Sequence, residues 1–245
     1  MPPPPRPIEV TRHASSRARH RRRRPPRAPR HPGRTRQKGE ARAYRAHRDR
    51  HAERFHRAGG LVGRSGRDLS AAQAMAERLP DFIAAARRAS VLLVFVRNVY
   101  STDRNLYLSD CWLEQAARRQ AGGYTRFPVC AEGSWEGDFY GGVRPQPDDP
   151  IVTKHRYNAF HDSDLDTILR ANAIRTVVMT GVATDVCVGT TAREAFMRDY
   201  YAVVVADGTA TFSPEDHAAT LRNFDRYFGE VSTIAEISAI WRDCN

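Results

Sequence analysis

The stretch Thr176 to Phe196, TVVMTGVATDVCVGTTAREAF, narrows the choice of fold more than any other part of the chain. It opens on a short apolar run, Val177-Val178-Met179, which reads as a strand buried on both faces. Gly181 then turns the backbone, and Cys187 follows among small and β-branched residues. Beyond it Val188, Ala192, Ala195 and Phe196 recur at helical spacing. A strand, a glycine-containing turn and a helix bring Cys187 to the carboxyl end of a parallel sheet. There the partial positive charge and free N–H groups of a helix N-terminus favour thiolate over thiol. The other reading is a buried, inert cysteine, because free Cys is commonly a small core residue.

The flanking sequence repeats that alternation. Asp68 to Ala89 reads as a helix with an apolar face of Leu69, Ala72, Met75, Leu79, Phe82 and Ile83, kinked or split at Pro80. Val91 to Val96 and Ile151 to Thr153 are apolar strands, the second running into Lys154. Leu165 to Ala171 is helical, Ala202 to Ala206 a strand and Glu215 to Phe228 a helix, and Trp241 lies in a last short helix. Strands alternating with helices predict an α/β fold, a three-layer doubly wound parallel sheet. Asn98 to Gly142 is a long connection rich in aromatics and glycine, and its length suggests a lid or an oligomer surface.

Charge divides the chain in two. Residues 1–58 hold 19 Lys and Arg against four acidic residues, whereas the remainder holds 20 against 24. The net of +11 therefore belongs to a Pro/Arg-rich segment with almost no large apolar residues, which cannot build a core and is expected to be disordered. The mildly acidic remainder offers nucleic acid no second contact surface, so nucleic acid is not the expected partner. The four cysteines show no CxxC and no zinc-ligand spacing, as expected of reduced thiols in the cytoplasm. No apolar run approaches the ~18 residues of a membrane span, and no secretory leader is recognisable at Met1.

Four motifs carry a resemblance that runs from about Gly59 to the C-terminus. They are IVTKHRYNAF at Ile151 to Phe160, GVATDVCV at Gly181 to Val188, TAREAF at Thr191 to Phe196 and ADGTAT at Ala206 to Thr211. The chain resembles the isochorismatase-like cysteine hydrolases, and residues 59–245 are expected to form that hydrolase domain. The resemblance implies a Cys–Lys–Asp triad with Cys187 as nucleophile and Lys154 beside it. It also implies an oxyanion hole from the backbone N–H groups of Ala183 and Cys187, with a cis peptide between Val182 and Ala183. Trp135, Tyr157, Asn158 and Phe160 are the expected substrate-binding residues. The implied substrate is a small amide or ureido compound cleaved through a thioester, with a homo-oligomer (dimer or tetramer) as the working form. Ureidoacrylate, biuret and N-carbamoylsarcosine amidohydrolases are the comparisons; isochorismate hydrolysis and a non-catalytic oligomer are the alternatives. Neither cofactor nor metal is expected, since the histidines lack the spacing of the metal-binding branch. Gly189 stands where many members carry a carboxylate.

One piece is missing. The family ends its first strand on the triad Asp, in a segment like ALLVIDMQNDF placed just before Gly59. Here that place holds YRAHRDRHAERF, Tyr44 to Phe55, from which no core strand is expected. Codons for those residues exist that, read one nucleotide later, spell TALIVIDMQNDF. Residues 1 to about 56 are therefore expected to be an out-of-frame product, with the true frame restored near His56, and hydrolysis by the chain as written is expected to be impaired for want of the triad Asp. Asp49 is nearest the missing position but lies between Arg48 and Arg50. Asp103 and Asp185 are the other candidate stand-ins.

Overall fold

The computed structural model describes the backbone of residues 44–49, 59–64, 66–100, 106–118 and 130–243. Residues Gly39–Asn245 make one compact unit; Met1–Lys38, with most of the segment expected to be disordered, lie outside the described residues.

Among the described residues, six strands form one sheet: β1 Tyr44–Asp49, β2 Val94–Asn98, β3 Ile151–Lys154, β4 Thr176–Val182, β5 Tyr201–Ala210 and β6 Glu230–Ser232. All pairings are parallel, in the order β3-β2-β1-β4-β5-β6. The helices are α1 Leu61–Arg64, α2 Ser70–Arg88, α3 Asp110–Arg118, α4 Leu165–Ala171, α5 Gly189–Met197, α6 Pro214–Tyr227 and α7 Ile234–Asp243.

Period-two alternation along the strands builds the three layers. Phe95, Val178, Val182, Val203 and Val205 face one way, onto Met75, Leu79 and Phe82 of α2 and onto Ile237 and Trp241 of α7. Phe82 and Trp241 stack with their ring centroids 4.8 Å apart. Val94, Val96, Val152, Val177, Met179 and Val204 face the other way, onto Leu165 and Leu169 of α4, Ala192 and Ala195 of α5 and Phe224 of α6. β4, TVVMTGV, is buried at all seven positions, its two threonines included. The helix α2 runs through Pro80 without splitting.

The expectation that Tyr44 to Phe55 yields no strand is corrected: Tyr44–Asp49 is β1, in the middle of the sheet. Its backbone pairs with β2 from His47↔Val94 to Asp49↔Val96 and with β4 from Tyr44↔Thr176 to Arg48↔Thr180. The physical reason is backbone pairing. β2 and β4 each present an edge of N–H and C=O groups to the same gap, and any extended segment there completes both ladders whatever its side chains. Residues 50–58 lie outside the described residues.

Candidate active site

In this strand order the chain reverses direction across the sheet between β1 and β4, and the crevice beyond the carboxyl ends of the strands is where such folds bind ligands. β4 delivers the nucleophile candidate to that edge. After Val182 the chain passes through Ala183, joined to it by a cis peptide bond, into a π-helical turn, Thr184–Val188, that continues as α5. Cys187 lies in that first turn and is 4% exposed. The turn is tight: a Cβ at Gly189 would stand 2.7 Å from the Thr184 carbonyl oxygen, so no side chain fits here unless the backbone shifts.

β3 ends at Lys154 on the same edge. Lys154 is completely buried, and its ammonium donates to the carbonyl of Tyr157 in the loop that follows. That loop reaches the Cys187 helix through one side chain. The Ala159 N–H donates to Thr191 Oγ1 at 3.0 Å, and the Thr191 hydroxyl donates to the Cys187 carbonyl at 2.7 Å. All three residues are buried, so the pair of bonds is shielded from water. The lysine loop and the cysteine turn are thereby held as one piece.

The remaining sequence candidates divide. Tyr157 packs its ring on Trp112, centroids 5.1 Å apart, and Arg156 lies 5.0 Å over the same indole. Asn158 turns back on its own loop, its Oδ1 accepting from the Phe160 N–H at 2.9 Å. Phe160 belongs to the core, packed with Val188 and Ala192 and stacked on Tyr200. Trp135 is about half exposed, in the short 3₁₀ turn Trp135–Gly137. Asp185 accepts a hydrogen bond from the Thr211 hydroxyl. Asp49 ends β1 in register with Val96; Asp103 lies outside the described residues.

Two residues at the site went unread in the sequence. His217, on the first turn of α6, hydrogen-bonds Thr184 through Nδ1 and Oγ1 at 2.9 Å and so braces the start of the cysteine turn from outside. Burial holds its imidazole below the ordinary value of 6.5, and the nearby Asp185 carboxylate opposes that shift. Asn98 ends β2 beside Lys154, fully buried. Among the described residues, no three His, Cys, Asp or Glu side chains are grouped as metal ligands would be. No described helix is long and apolar enough to cross a membrane.

The isochorismatase domain matches residues 56–236. Ureidoacrylate amidohydrolase of Methylorubrum extorquens is 35% identical over 192 residues, 74% of this chain and 75% of the relative. The enzyme of the same name from Variovorax paradoxus is 36% identical over 186 residues, 72% of each chain. Among solved structures, a cysteine hydrolase from Pseudomonas syringae superposes with a TM-score of 0.71 at 23% identity, covering 84% of this chain and 95% of that one. N-carbamoylsarcosine amidase from Thermoplasma acidophilum gives 0.60 at 25% identity, covering 77% and 95%.

Proposed function

The chain belongs to the isochorismatase family, and we propose that it is a cysteine hydrolase cleaving a C–N amide or carbamoyl bond of a small ureido or amide compound. The observation that carries this reading is the Thr191 hydroxyl, bonded to both Ala159 and Cys187, because it couples a buried lysine loop to a cysteine at a helix start. Cys187 Sγ, as thiolate, attacks the carbonyl carbon. The C–N bond breaks, the nitrogen leaves as amine or ammonia after taking a proton, and water then hydrolyses the thioester to acid and free thiolate. Lys154 supplies positive charge to the thiolate and to the developing oxyanion, with the N–H groups of Ala183 and Cys187 as the oxyanion donors.

The proton carrier is the unfilled role. Asp49 is one residue short of the position the family uses and is not assigned the role. The out-of-frame reading supplies Asp at position 50 instead, so the working gene product would carry DMQNDF where this chain has arginines and histidines. A homo-oligomer belongs to the same proposal. Phe196 and Tyr227 are exposed around the partly buried Phe228, an apolar surface that a second copy would cover.

The test is acid-quenched mass spectrometry with N-carbamoyl and ureido compounds, together with ammonia release. A substrate-derived mass on the peptide carrying Cys187 is expected, lost in Cys187→Ala. Lys154→Met should lower kcat/KM by about 100-fold or more, the usual cost of removing one oxyanion-stabilising group. Turnover that survives Cys187→Ala would refute the reading.

A further inference from the structure

Asn98 is the last residue of β2 and pairs in register with Lys154 on β3. Its backbone pairs with β3, and the Val99 N–H that follows donates to the Lys154 carbonyl at 3.0 Å. Its side chain is the opposite case. Asn98 is completely buried, yet neither its carboxamide oxygen nor its nitrogen has a hydrogen-bond partner. Native structures leave few such groups, because each buried donor or acceptor without a partner is a standing cost. A carboxamide can accept on one atom and donate on the other, and both functions are idle here.

Its direction follows from the strands. Val96 and Val152 share one core cluster on the α4, α5 and α6 side of the sheet. Two residues further along each strand, Asn98 and Lys154 return to that face at the carboxyl edge. The idle carboxamide therefore adjoins the buried lysine of the proposed triad, on the same side as the loop that Thr191 latches to the cysteine turn.

We propose that Asn98 is a specificity-determining residue that reads the N–H of the scissile amide or ureido group: Asn98 Oδ1 accepts from the substrate N–H, and Nδ2 donates to a substrate oxygen. This rests on the hydrolase reading of the same edge and narrows its substrate class. A compound whose scissile nitrogen carries hydrogen fills both idle functions, whereas an oxygen or sulfur ester of the same acyl group leaves Oδ1 unpaired. Sites built to hydrogen-bond a substrate group reject analogues lacking it strongly, because the partner stays buried and unpaired.

The experiment compares the full chain with Asn98→Leu, which keeps the branched shape of the side chain and removes both polar functions. Turnover of an N-carbamoyl compound is set against turnover of the oxygen ester of the same acyl group. The expected result is a fall of ~10²- to 10⁴-fold in kcat/KM for the carbamoyl compound and less than about tenfold for the ester. The melting temperature is expected to rise by about 2–6 °C, since the substitution removes two buried unpaired polar atoms. Equal losses on both substrates, or a lowered melting temperature, would assign Asn98 to packing and overturn the proposal. Binding is read separately by saturation-transfer NMR on a Cys187→Ala background, with N-methylurea and methyl acetate as probes. Signal for N-methylurea alone, abolished by Asn98→Leu, is expected. That binding result without any turnover refutes the hydrolase reading and leaves Asn98 standing; turnover with no Asn98-dependent binding of N-methylurea does the reverse.

Discussion

Thr191 carries more of the site than a small hydroxyl residue in the middle of a helix usually does. It spends its one proton on the Cys187 carbonyl and one lone pair on the Ala159 N–H. Thr191→Val keeps the shape and loses both bonds, leaving the Ala159 N–H buried without a partner. We expect a loss of about 1–3 kcal/mol of stability in urea unfolding and a lowered kcat with KM little changed. His217 gives a pH-dependent counterpart. Its folded pKa is held below 6.5, so acidification protonates the unfolded chain before the folded one. The stability tied to the neutral imidazole is thus intact above pH 6.5 and lost as the pH falls through and below that value. The drop in urea midpoint between pH 7.5 and 5.5 should be smaller in His217→Gln than in the parent. The elements that carry Lys154 and Cys187 were legible in the sequence because each is a compact local run, an apolar strand ending on Lys154 and a strand, turn and helix around Cys187. The contacts of Thr191 and His217 were not, because their partners are distant: Thr191 meets a residue 32 positions away and His217 one 33 positions away.

At the scale of elements, the strands with continuous apolar runs could be read directly, since burial on both faces leaves an unmistakable composition. Leu165–Ala171 was read to the residue, while β5 runs further at both ends than Ala202 to Ala206. β6 went unread because three residues carry too little periodicity, and α3 because it sits inside an aromatic-rich connection. β1 is the instructive case. Its composition argues against a central strand, and its position comes from pairing alone. His47 stands in register with Val94 on one side and Met179 on the other, both in the same core cluster. The His47 backbone amide should therefore exchange as slowly as those of β2 and β4 in native-state hydrogen exchange. Exchange at the rate of a surface loop would show that the pairing of β1 is wrong.

For the whole molecule, the match to the isochorismatase domain begins at residue 56, whereas the superposed cysteine hydrolase covers 84% of the chain, more than residues 56–245 make up. Shape thus extends further toward the N-terminus than sequence likeness does. We propose that a change of reading frame near His56 accounts for that disparity: codons for Tyr44 to Phe55 exist that, in the next frame, spell an apolar strand where the structure has β1. Peptide mapping of the protein from its native cell is expected to yield DMQNDF; peptides spanning the arginine run instead would remove the frame explanation. The central place of β1 also sets a timetable. The ribosome makes β1 first and its neighbour β4 only after reaching Thr176, on the order of ten seconds later at ~5–20 residues per second. Through that interval one edge of β1 has no strand to pair with, and the sheet closes only late in translation. The nascent chain then depends on chaperone cover for longer than a fold with neighbouring strands made in succession.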